Sequence, residues 1–295
     1  MQTLADIGED ELIRRIVRKL PQGESVLAGP GDDCAVVHSA RTPQVLKTDT
    51  VVEGVHFTTE TPGRLVGRKA MARVISDFAA MAATPRHALV TLIAPPQTAV
   101  KRVLDVYTGL QALATEFGVS IVGGETSKGQ QLILTIGLSG HVTGPKWIAR
   151  SQARAGDHLY VTGKLGGSIR SKHLRFHPRM AEAHWLAEHL PIRAMMDISD
   201  GLAQDLPRLA SASGLGFQVD LADLPRTPGC TPEQAWGDGE DYELLIALSP
   251  KTTAKQLTAW AQAFPKLKLT RIGKLVEKDQ APLVPSGGWQ HFRSA

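Results

Sequence analysis

The sequence predicts a two-domain protein of the α/β (or α+β) class. At 295 residues the chain is long enough for two hydrophobic cores, because single cores usually stop growing near this length. Apolar residues at helical spacing alternate with short apolar runs that are typical of strands. Acidic turns follow the ends of strands in both halves, which indicates that the halves share a coarse plan.

The first half contains three predicted helices and four predicted strands. The opening helix, residues 8–20, has acids in its first turn and bases in its last, as the helix dipole favours. The second helix is rich in small residues, which suits close packing. In chain order, the elements after the opening helix are strand 44–52, helix 64–83, strand 87–94, helix 98–117, strand 119–125 and strand 131–143.

A polar, turn-rich segment at residues 144–157 marks the predicted domain boundary. We place the boundary near residue 145, which gives domains 1–145 and 146–295. The elements expected in the second domain are strand 158–163, helix 180–190, helix 202–214, strand 217–221, strand 240–248, helix 252–264 and strand 268–276.

Composition excludes several classes of protein. The 33 basic residues are dispersed among 29 acidic ones and the net charge is only +4, so no nucleic-acid partner is expected. There is no run of about 18 apolar residues, and the first residues carry acids in place of an apolar signal core, which predicts a cytoplasmic protein with no membrane partner. The two cysteines, Cys34 and Cys230, form no CxxC pair and indicate neither a disulfide framework nor a thiolate zinc site.

Five acidic segments carry the chemistry that the sequence indicates. Glycine or threonine stands beside most of these acids, and such small neighbours allow a phosphate or a hydrated metal to approach the backbone. Carboxylates and hydroxyls are the oxygen ligands that Mg²⁺ prefers, and bound metal can neutralise a polyphosphate for phosphoryl transfer. The segments are GDD at 31–33, KTDT at 47–50, SDFAAM at 76–81, GGET at 123–126 and DISDG at 197–201.

Each segment also has a purely structural interpretation. Asp77 follows Arg73 by four residues on a predicted helix, which is the spacing of an ordinary ion pair. Asp197 and Asp200 could form a turn and the N-cap of the helix that begins at Leu202. Asp32 and Asp33 could form an Asx turn. Spacing alone does not decide between these interpretations and a metal site.

Motifs of other chemistries are absent from the sequence. It contains no GxxxxGK[ST], GxSxG or HExxH, and its ten histidines show no metal-ligand spacing. The glycine-rich stretch TGKLGGS at 162–168 follows a predicted strand, so it is open to two interpretations, a phosphate cradle or a simple surface loop.

The order of the motifs resembles that of bacterial thiamine-monophosphate kinases over essentially the whole chain. The matching stretches are GPGDDCAVV (29–37), KTDTVVEGVHF (47–57), ISDFAAMAATP (75–85), VGGET (122–126), ARS (149–151), MDISDGLAQDL (196–206) and GDGEDYELL (237–245). That family belongs with aminoimidazole ribonucleotide synthetase, selenophosphate synthetase and HypE. The resemblance implies a two-domain aminoimidazole ribonucleotide synthetase-like fold that forms a homodimer, with the N-terminal domain, residues 1–145, contributing to a dimeric β-barrel and binding ATP and metal.

The resemblance implies direct transfer of the γ-phosphoryl group of ATP to thiamine monophosphate, assisted by several Mg²⁺ ions and without a phosphoenzyme. The implied metal ligands are Asp33, Thr48, Asp49, Asp77, Glu125, Asp197 and Asp200. The implied ATP contacts are Asp33, Gly124, Glu125, Arg150 and Ser199. The implied contacts of thiamine monophosphate are His56, Glu240 and Trp289. Considered alone, His56 and Trp289 are more typical of half-buried packing residues, and only the order of the motifs assigns them to the substrate.

Three positions depart from the family pattern. Lys47 stands where the family has Ser or Thr, so its ammonium could replace one Mg²⁺ or could point away on the other side of the strand. Glu125 stands for the family's Asp, which lengthens the ligand by one methylene. The segment near residues 164–175 is shorter than in the family, which could alter the acceptor pocket or the dimer.

Three functions are therefore open, with the thiamine-monophosphate kinase as the main prediction. The second is a superfamily member that phosphorylates a different phosphate or carbonyl acceptor. The third is a homologue that binds nucleotide without turnover.

Overall fold

Two units make up the fold. The computed structural model of the chain describes residues 43–144 and 147–289, together with residues 2, 3, 6, 15, 16, 18–21, 23, 24, 26–28, 36 and 37. The first unit comprises Met1–Phe78 and Thr84–Val142, and the second comprises Ala79–Ala83 and Thr143–Ala295. Within the described ranges, no helix is both long and apolar enough to cross a membrane.

The first unit is built on a four-stranded sheet. Its described elements are β1 (Val26–Ala28), β2 (Val36–Val37), β3 (Gln44–Val52), α1 (Gly63–Ala80), β4 (Ala83–Ala94), α2 (Val100–Glu116), β5 (Ser120–Lys128) and β6 (Ile133–Val142). β1 and β2 pair with each other, and the remaining strands form a sheet in the order β3-β6-β4-β5. β3 runs antiparallel to β6, while β4 runs parallel to β5.

Side-chain alternation gives this sheet one buried and one exposed face. Val45 and Val51 are buried on β3, and they lie opposite Gly140 and Leu134 of β6 in the register of the sheet. The residues between them on β3, Leu46, Thr48 and Thr50, point to the opposite face because successive side chains of a strand alternate. Val45, Lys47, Asp49 and Val51 therefore share the buried face, which is the face that α1 covers.

Helices α1 and α2 pack against each other unusually closely. A Cβ atom on Gly67 would lie 1.9 Å from the carbonyl oxygen of Val106, and one on Gly109 would lie 1.9 Å from that of Arg64. No side chain fits at either crossing, so the small residues of α1 serve the close packing that the sequence predicts.

The second unit is built on a five-stranded antiparallel sheet in the order β8-β10-β7-β11-β9. Its elements are β7 (His158–Thr162), α3 (Lys172–Arg175), α4 (Met180–His189), β8 (Ile192–Asp197), α5 (Leu202–Ala212), β9 (Gly216–Val219), α6 (Pro232–Gly237), β10 (Leu244–Leu248), α7 (Ala254–Ala263) and β11 (Leu269–Val276). The core beneath α5 includes Leu206, Leu209, Trp236, Leu245 and Ile272. β10, next to the centre, is buried at every position.

Most predicted elements of the two units are confirmed. Strand 44–52 is β3 from end to end, and helix 98–117 is α2, which begins two residues later and ends one residue earlier. β4 begins at Ala83 rather than at residue 87. The strand predicted at 240–248 begins only at Leu244, so residues 240–243 lie outside the sheet. The helix predicted at 8–20 lies largely outside the described residues.

Candidate functional site

Four charged side chains join β3 to α1 in the first unit. The Nζ atom of Lys47 lies 3.0 Å from Oδ2 of Asp77, and Nε of Arg73 lies 3.2 Å from Oδ2 of Asp49. Two residues along a strand span roughly 6.7 Å and four along a helix span about 6 Å, so the two ion pairs form side by side. We call Lys47, Asp49, Arg73 and Asp77 the β3–α1 charge cluster. Two implied metal ligands, Asp49 and Asp77, thus each face a cation of the protein.

The other implied ligands of the first unit lie apart from that cluster. Thr48 points to the opposite face of β3, as the alternation of burial along the strand requires. Glu125 is exposed on β5, and its Oε1 accepts a hydrogen bond from the N–H of Thr126. A Cβ on Gly124 would lie 1.9 Å from the carbonyl oxygen of Val90, so only glycine fits there. Asp33, assigned to both metal and ATP, is outside the described residues.

His56 follows β3 in a tight turn. The N–H of Val52 donates to Nδ1 of His56 at 3.1 Å, and the N–H of His56 donates to the carbonyl oxygen of Val52. Because Nδ1 accepts a hydrogen bond, the proton of the neutral ring sits on Nε2. The turn therefore presents an imidazole whose Nε2–H can donate to an anionic group.

Magnesium fits the described residues of the first unit only in part. The carboxylates are chemically suited to Mg²⁺, which prefers oxygen ligands. However, no three carboxylate, imidazole or thiol side chains converge among the described residues, so the protein alone offers no closed set of ligands there. Arg73 and Lys47 already neutralise Asp49 and Asp77, so any ion bound there has to compete with both cations.

In the second unit, the segment after β8 folds around the buried carboxylate of Asp205, which no sequence pattern marks. The N–H groups of Ser199 and Asp200 both donate to Oδ2 of Asp205 at 2.9 Å. Arg208 donates from one nitrogen to Oδ2 of Asp200 and Oδ1 of Asp205. The pKa of Asp205 is raised to about 6, mainly by burial and to a smaller extent by the nearby charge of Asp200. Asp197, at the end of β8, is itself buried.

The N-cap interpretation of Asp200 is wrong. The N-cap of α5 is Gly201, which has a φ of 95° and caps the helix with no side chain. Gly201 adopts this left-handed conformation without strain because it has no Cβ. The side chain of Asp200 is thereby directed to Arg208 instead of to the first turn of the helix.

Strained backbone marks the loop of residues 238–243, which precedes β10. Glu240 and Tyr242 have φ values of 53° and 50°, and each such non-glycine residue costs about 1–3 kcal/mol. The N–H of Glu240 donates to the carbonyl oxygen of Ser199, and that of Tyr242 donates to the carbonyl oxygen of Ile198. These bonds hold the loop against the segment that follows β8.

Trp289 also contacts the segment that follows β8. The N–H of Trp289 donates to the carbonyl oxygen of Asp200 at 2.8 Å, and the ring of Trp289 is about half exposed. Two acceptor-site residues of the resemblance, Glu240 and Trp289, are therefore one hydrogen bond away from Ser199 and Asp200. Arg150 lies elsewhere on the unit, where it is exposed and its guanidinium makes no hydrogen bond to the described residues.

An ionic network around the buried side chain of Glu243 also anchors the loop. Arg179 makes a bidentate pair with Glu243, with both N–O distances 2.8 Å, and Lys172 adds a third contact at 2.9 Å. Thr162 donates to Oε2 of Glu243 as well. No periodicity signals this network in the sequence, because Lys172 and Arg179 lie far from Glu243 along the chain.

The glycine-rich stretch at 162–168 matches neither of its two interpretations. The N–H of Gly166 donates to Asp241 and that of Gly167 to Asp238, so carboxylates already take the donors that a phosphate cradle needs. Residues 165–168 are buried, which also excludes a simple surface loop. The stretch instead holds the loop of residues 238–243 by donating hydrogen bonds to Asp241 and Asp238.

Two family models match the chain. The model of the N-terminal domain of AIR synthase related proteins matches residues 31–142, and that of their C-terminal domain matches residues 127–284. The mixed α/β, two-domain AIR synthase-like fold follows from these matches. HypE of E. coli shares this fold at 21% identity, with a TM-score of 0.75.

Curated relatives and solved structures narrow the family. The thiamine-monophosphate kinase of Rhodopirellula baltica is 38% identical over 285 residues, covering 90% of this chain and 87% of its own. The crystal structure of thiamine-monophosphate kinase from Stenotrophomonas maltophilia K279a is 28% identical, with a TM-score of 0.78, and covers 90% of this chain and 92% of its own. AaThiL complexed with AMPPCP and TMP is 29% identical, with a TM-score of 0.75 and 99% coverage of both chains. The chain therefore belongs to the thiamine-monophosphate kinases, a family of enzymes within the AIR synthase related proteins.

Proposed function

We propose that this chain transfers the γ-phosphoryl group of ATP directly to the phosphate of thiamine monophosphate, giving thiamine diphosphate and ADP. One observation carries the proposal: backbone hydrogen bonds join Glu240 to Ser199 and Trp289 to Asp200. Residues assigned by resemblance to the acceptor are thus adjacent to residues assigned to nucleotide and metal. AaThiL, whose complex holds AMPPCP and TMP, supports the same pair of substrates.

Different residues of the chain are proposed for each substrate. His56 would donate from Nε2 to an anionic phosphate. Glu240 would lie near the cationic heterocycle and compensate its charge, and the exposed ring of Trp289 would stack on that heterocycle. Gly124, Glu125, Arg150 and Ser199, with Asp33, are proposed to contact ATP. Such positioning and charge compensation are what phosphoryl transfer chiefly requires of a protein.

Magnesium is proposed as the cofactor, held by Asp33, Thr48, Asp49, Asp77, Glu125, Asp197 and Asp200. Bound there, it would supply the neutralisation of negative charge that transfer between two phosphates needs. Lys47 and Arg73 pair with Asp77 and Asp49, so bound Mg²⁺ would have to compete with both cations for these two carboxylates.

The proposal extends to organisation and location. We propose residues 1–145 as the ATP- and metal-binding domain, residues 146–295 as the second domain, and a homodimer whose N-terminal domains form a shared β-barrel. Because the reaction consumes ATP, the cytoplasm is the proposed compartment.

One assay tests the function: purified chain, Mg-ATP and thiamine monophosphate, with thiamine diphosphate and ADP followed together. We expect both products in equal amounts. ADP without thiamine diphosphate would indicate a different acceptor, and AMPPCP binding without turnover would indicate a non-catalytic homologue. Either result would overturn the proposal.

Two substitutions test the ligand assignment within that assay. Asp49→Asn and Asp77→Asn are expected to lower kcat at least about 100-fold, as removal of a charge-stabilising group does. Asp77→Asn should change folding little, because the Lys47–Asp77 pair is partly exposed and contributes only about 0–1 kcal/mol. Asp49→Asn should cost more stability, since the Arg73–Asp49 pair is mostly buried, so urea unfolding of both variants accompanies the assay. Asp105→Asn is the control, since Asp105 pairs with Lys101 on the surface of α2. Full activity in both test variants would refute the assignment.

A further inference from the structure

The carboxylate of Glu240 is held from two sides within the second unit. Nδ1 of His173, on α3, lies 3.2 Å from Oε2 of Glu240, and the hydroxyl of Tyr242 lies 3.4 Å from Oε1. His173 is almost fully buried, whereas the side chain of Glu240 keeps about a quarter of its surface exposed. Each carboxylate oxygen thus has a fixed neighbour, while one side of the group stays open.

The groups that hold Glu240 are themselves fixed. Lys172, the residue before His173, is paired with Glu243 at 2.9 Å, which anchors α3 to the foot of β10. The ring of Tyr242 stacks on Phe176 with centroids 3.8 Å apart. Ser168 donates to the carbonyl oxygen of Glu240, so the backbone of that residue is held as well.

We infer that His173 is a positioning residue for the acceptor site, in which its Nδ1–H fixes the carboxylate of Glu240 in the orientation that receives the cationic part of the substrate. The inference rests on the proposed function, because it takes Glu240 as a contact of thiamine monophosphate. A carboxylate held in advance loses less rotamer freedom when substrate binds, and binding is tighter for that reason.

The test replaces His173 by two side chains of nearly equal size, asparagine and leucine. The amide of the asparagine can still donate near the place of Nδ1, whereas leucine cannot. We expect His173→Leu to raise KM for thiamine monophosphate by roughly tenfold, the factor that corresponds to ~1.4 kcal/mol. His173→Asn should stay within about threefold of the wild type, and kcat and the affinity for AMPPCP should be unchanged in both.

A second measurement distinguishes a role of His173 in positioning Glu240 from a role in packing alone. In a Glu240→Gln background, His173→Leu should change KM by less than about twofold, because a residue that acts through Glu240 has nothing left to position. His189→Leu is the control; His189 is a histidine of α4 whose Nδ1 contacts the carbonyl oxygen of Trp185.

The outcomes separate this inference from the proposed function. If the wild-type chain makes no thiamine diphosphate, the proposed function fails. If it does, and the leucine and asparagine variants share one KM, the inference alone is overturned. Should the leucine variant not fold, His173→Asp decides, since it has the size of asparagine but repels Glu240. The inference then requires a KM at least about tenfold above that of the asparagine variant, which corresponds to ~1.4 kcal/mol, and equal values overturn it.

Discussion

Lys47 places an ammonium 3.0 Å from a carboxylate that the resemblance assigns to metal binding. The two side chains are 39% and 23% exposed, so the pair adds at most about 1 kcal/mol to the stability of the fold. Its main consequence is electrostatic, because a cation next to Asp77 competes with any divalent ion for the same oxygen atoms. The alternative that Lys47 points away on the other side of the strand is wrong, because its Nζ atom contacts Asp77.

Removing this ammonium is expected to ease metal binding. Lys47→Ser should lower the Mg²⁺ concentration for half-maximal activity by about fivefold, the factor that corresponds to ~1 kcal/mol. A titration of activity with Mg²⁺ at saturating ATP measures the change, and Mn²⁺ binding followed by electron paramagnetic resonance gives a second readout. Lys101→Ser, which breaks a surface pair on α2, is the control. Superimposable titration curves for Lys47→Ser and the wild type would contradict the competition.

At the scale of elements, the loop before β10 shows what a sequence pattern can and cannot indicate. Alternation of apolar residues correctly predicts a strand, but it extends the strand to residue 240, four residues before Leu244, where the sheet begins. The difference arises from the left-handed conformations of Glu240 and Tyr242, which hydrogen bonds to Ser199 and Ile198 maintain. Such bonds come from a remote segment, so no local pattern reports them.

In the candidate site too, local sequence patterns indicate some residues, while contacts between distant segments stay hidden. Acidic segments beside glycine and threonine draw attention to Asp49, Asp77 and Asp200, because turn chemistry leaves a local signature in the sequence. The partners of these acids, Arg73, Lys47 and Arg208, are ordinary surface cations by sequence. Ion pairs across elements depend on tertiary contacts, so they are visible only once the strands and helices are in place.

Asp241 gives the loop a pH dependence that can be measured. The carboxyl is buried and accepts the N–H of Gly166, and burial raises its pKa from 3.8 to about 7. Between these values the unfolded chain is ionised while the folded chain keeps its proton. This residue therefore makes the fold less stable as the pH rises from about 4 to 7, and adds no further change above that range.

Asp241→Asn is expected to remove that component. The amide keeps an oxygen for the N–H of Gly166 but does not titrate. The free energy of unfolding of the wild type minus that of the variant should therefore fall by roughly 3 kcal/mol between pH 4 and pH 7. Urea unfolding across this range measures it. Asp220→Asn, at an exposed carboxylate that also accepts a backbone N–H, is the control. Parallel curves for Asp241→Asn and the wild type would contradict the assignment.

At the scale of the molecule, the sheet of the first unit leaves apolar side chains uncovered. Leu46 of β3 is 76% exposed and Leu89 of β4 is 49% exposed. Leu89 lies against Gly137, the partner of Thr48 in the register of the sheet, so Leu46 and Leu89 are on the same face. Apolar groups gathered on one face of a sheet favour association with another surface. This face is the one that the proposed β-barrel dimer would bury.

Charge on that face should therefore separate the subunits. In a two-fold symmetric interface every substitution appears twice, so Leu46→Asp or Leu89→Asp would bring pairs of carboxylates into an apolar contact. We expect sedimentation equilibrium to give twice the chain mass for the wild type and the chain mass for either variant. Ile169→Asp, at an exposed apolar residue of the second unit, should remain dimeric because that residue lies outside the proposed interface. A wild-type chain that sediments as a monomer would contradict the dimer. Variants that remain dimeric would contradict this face as its interface.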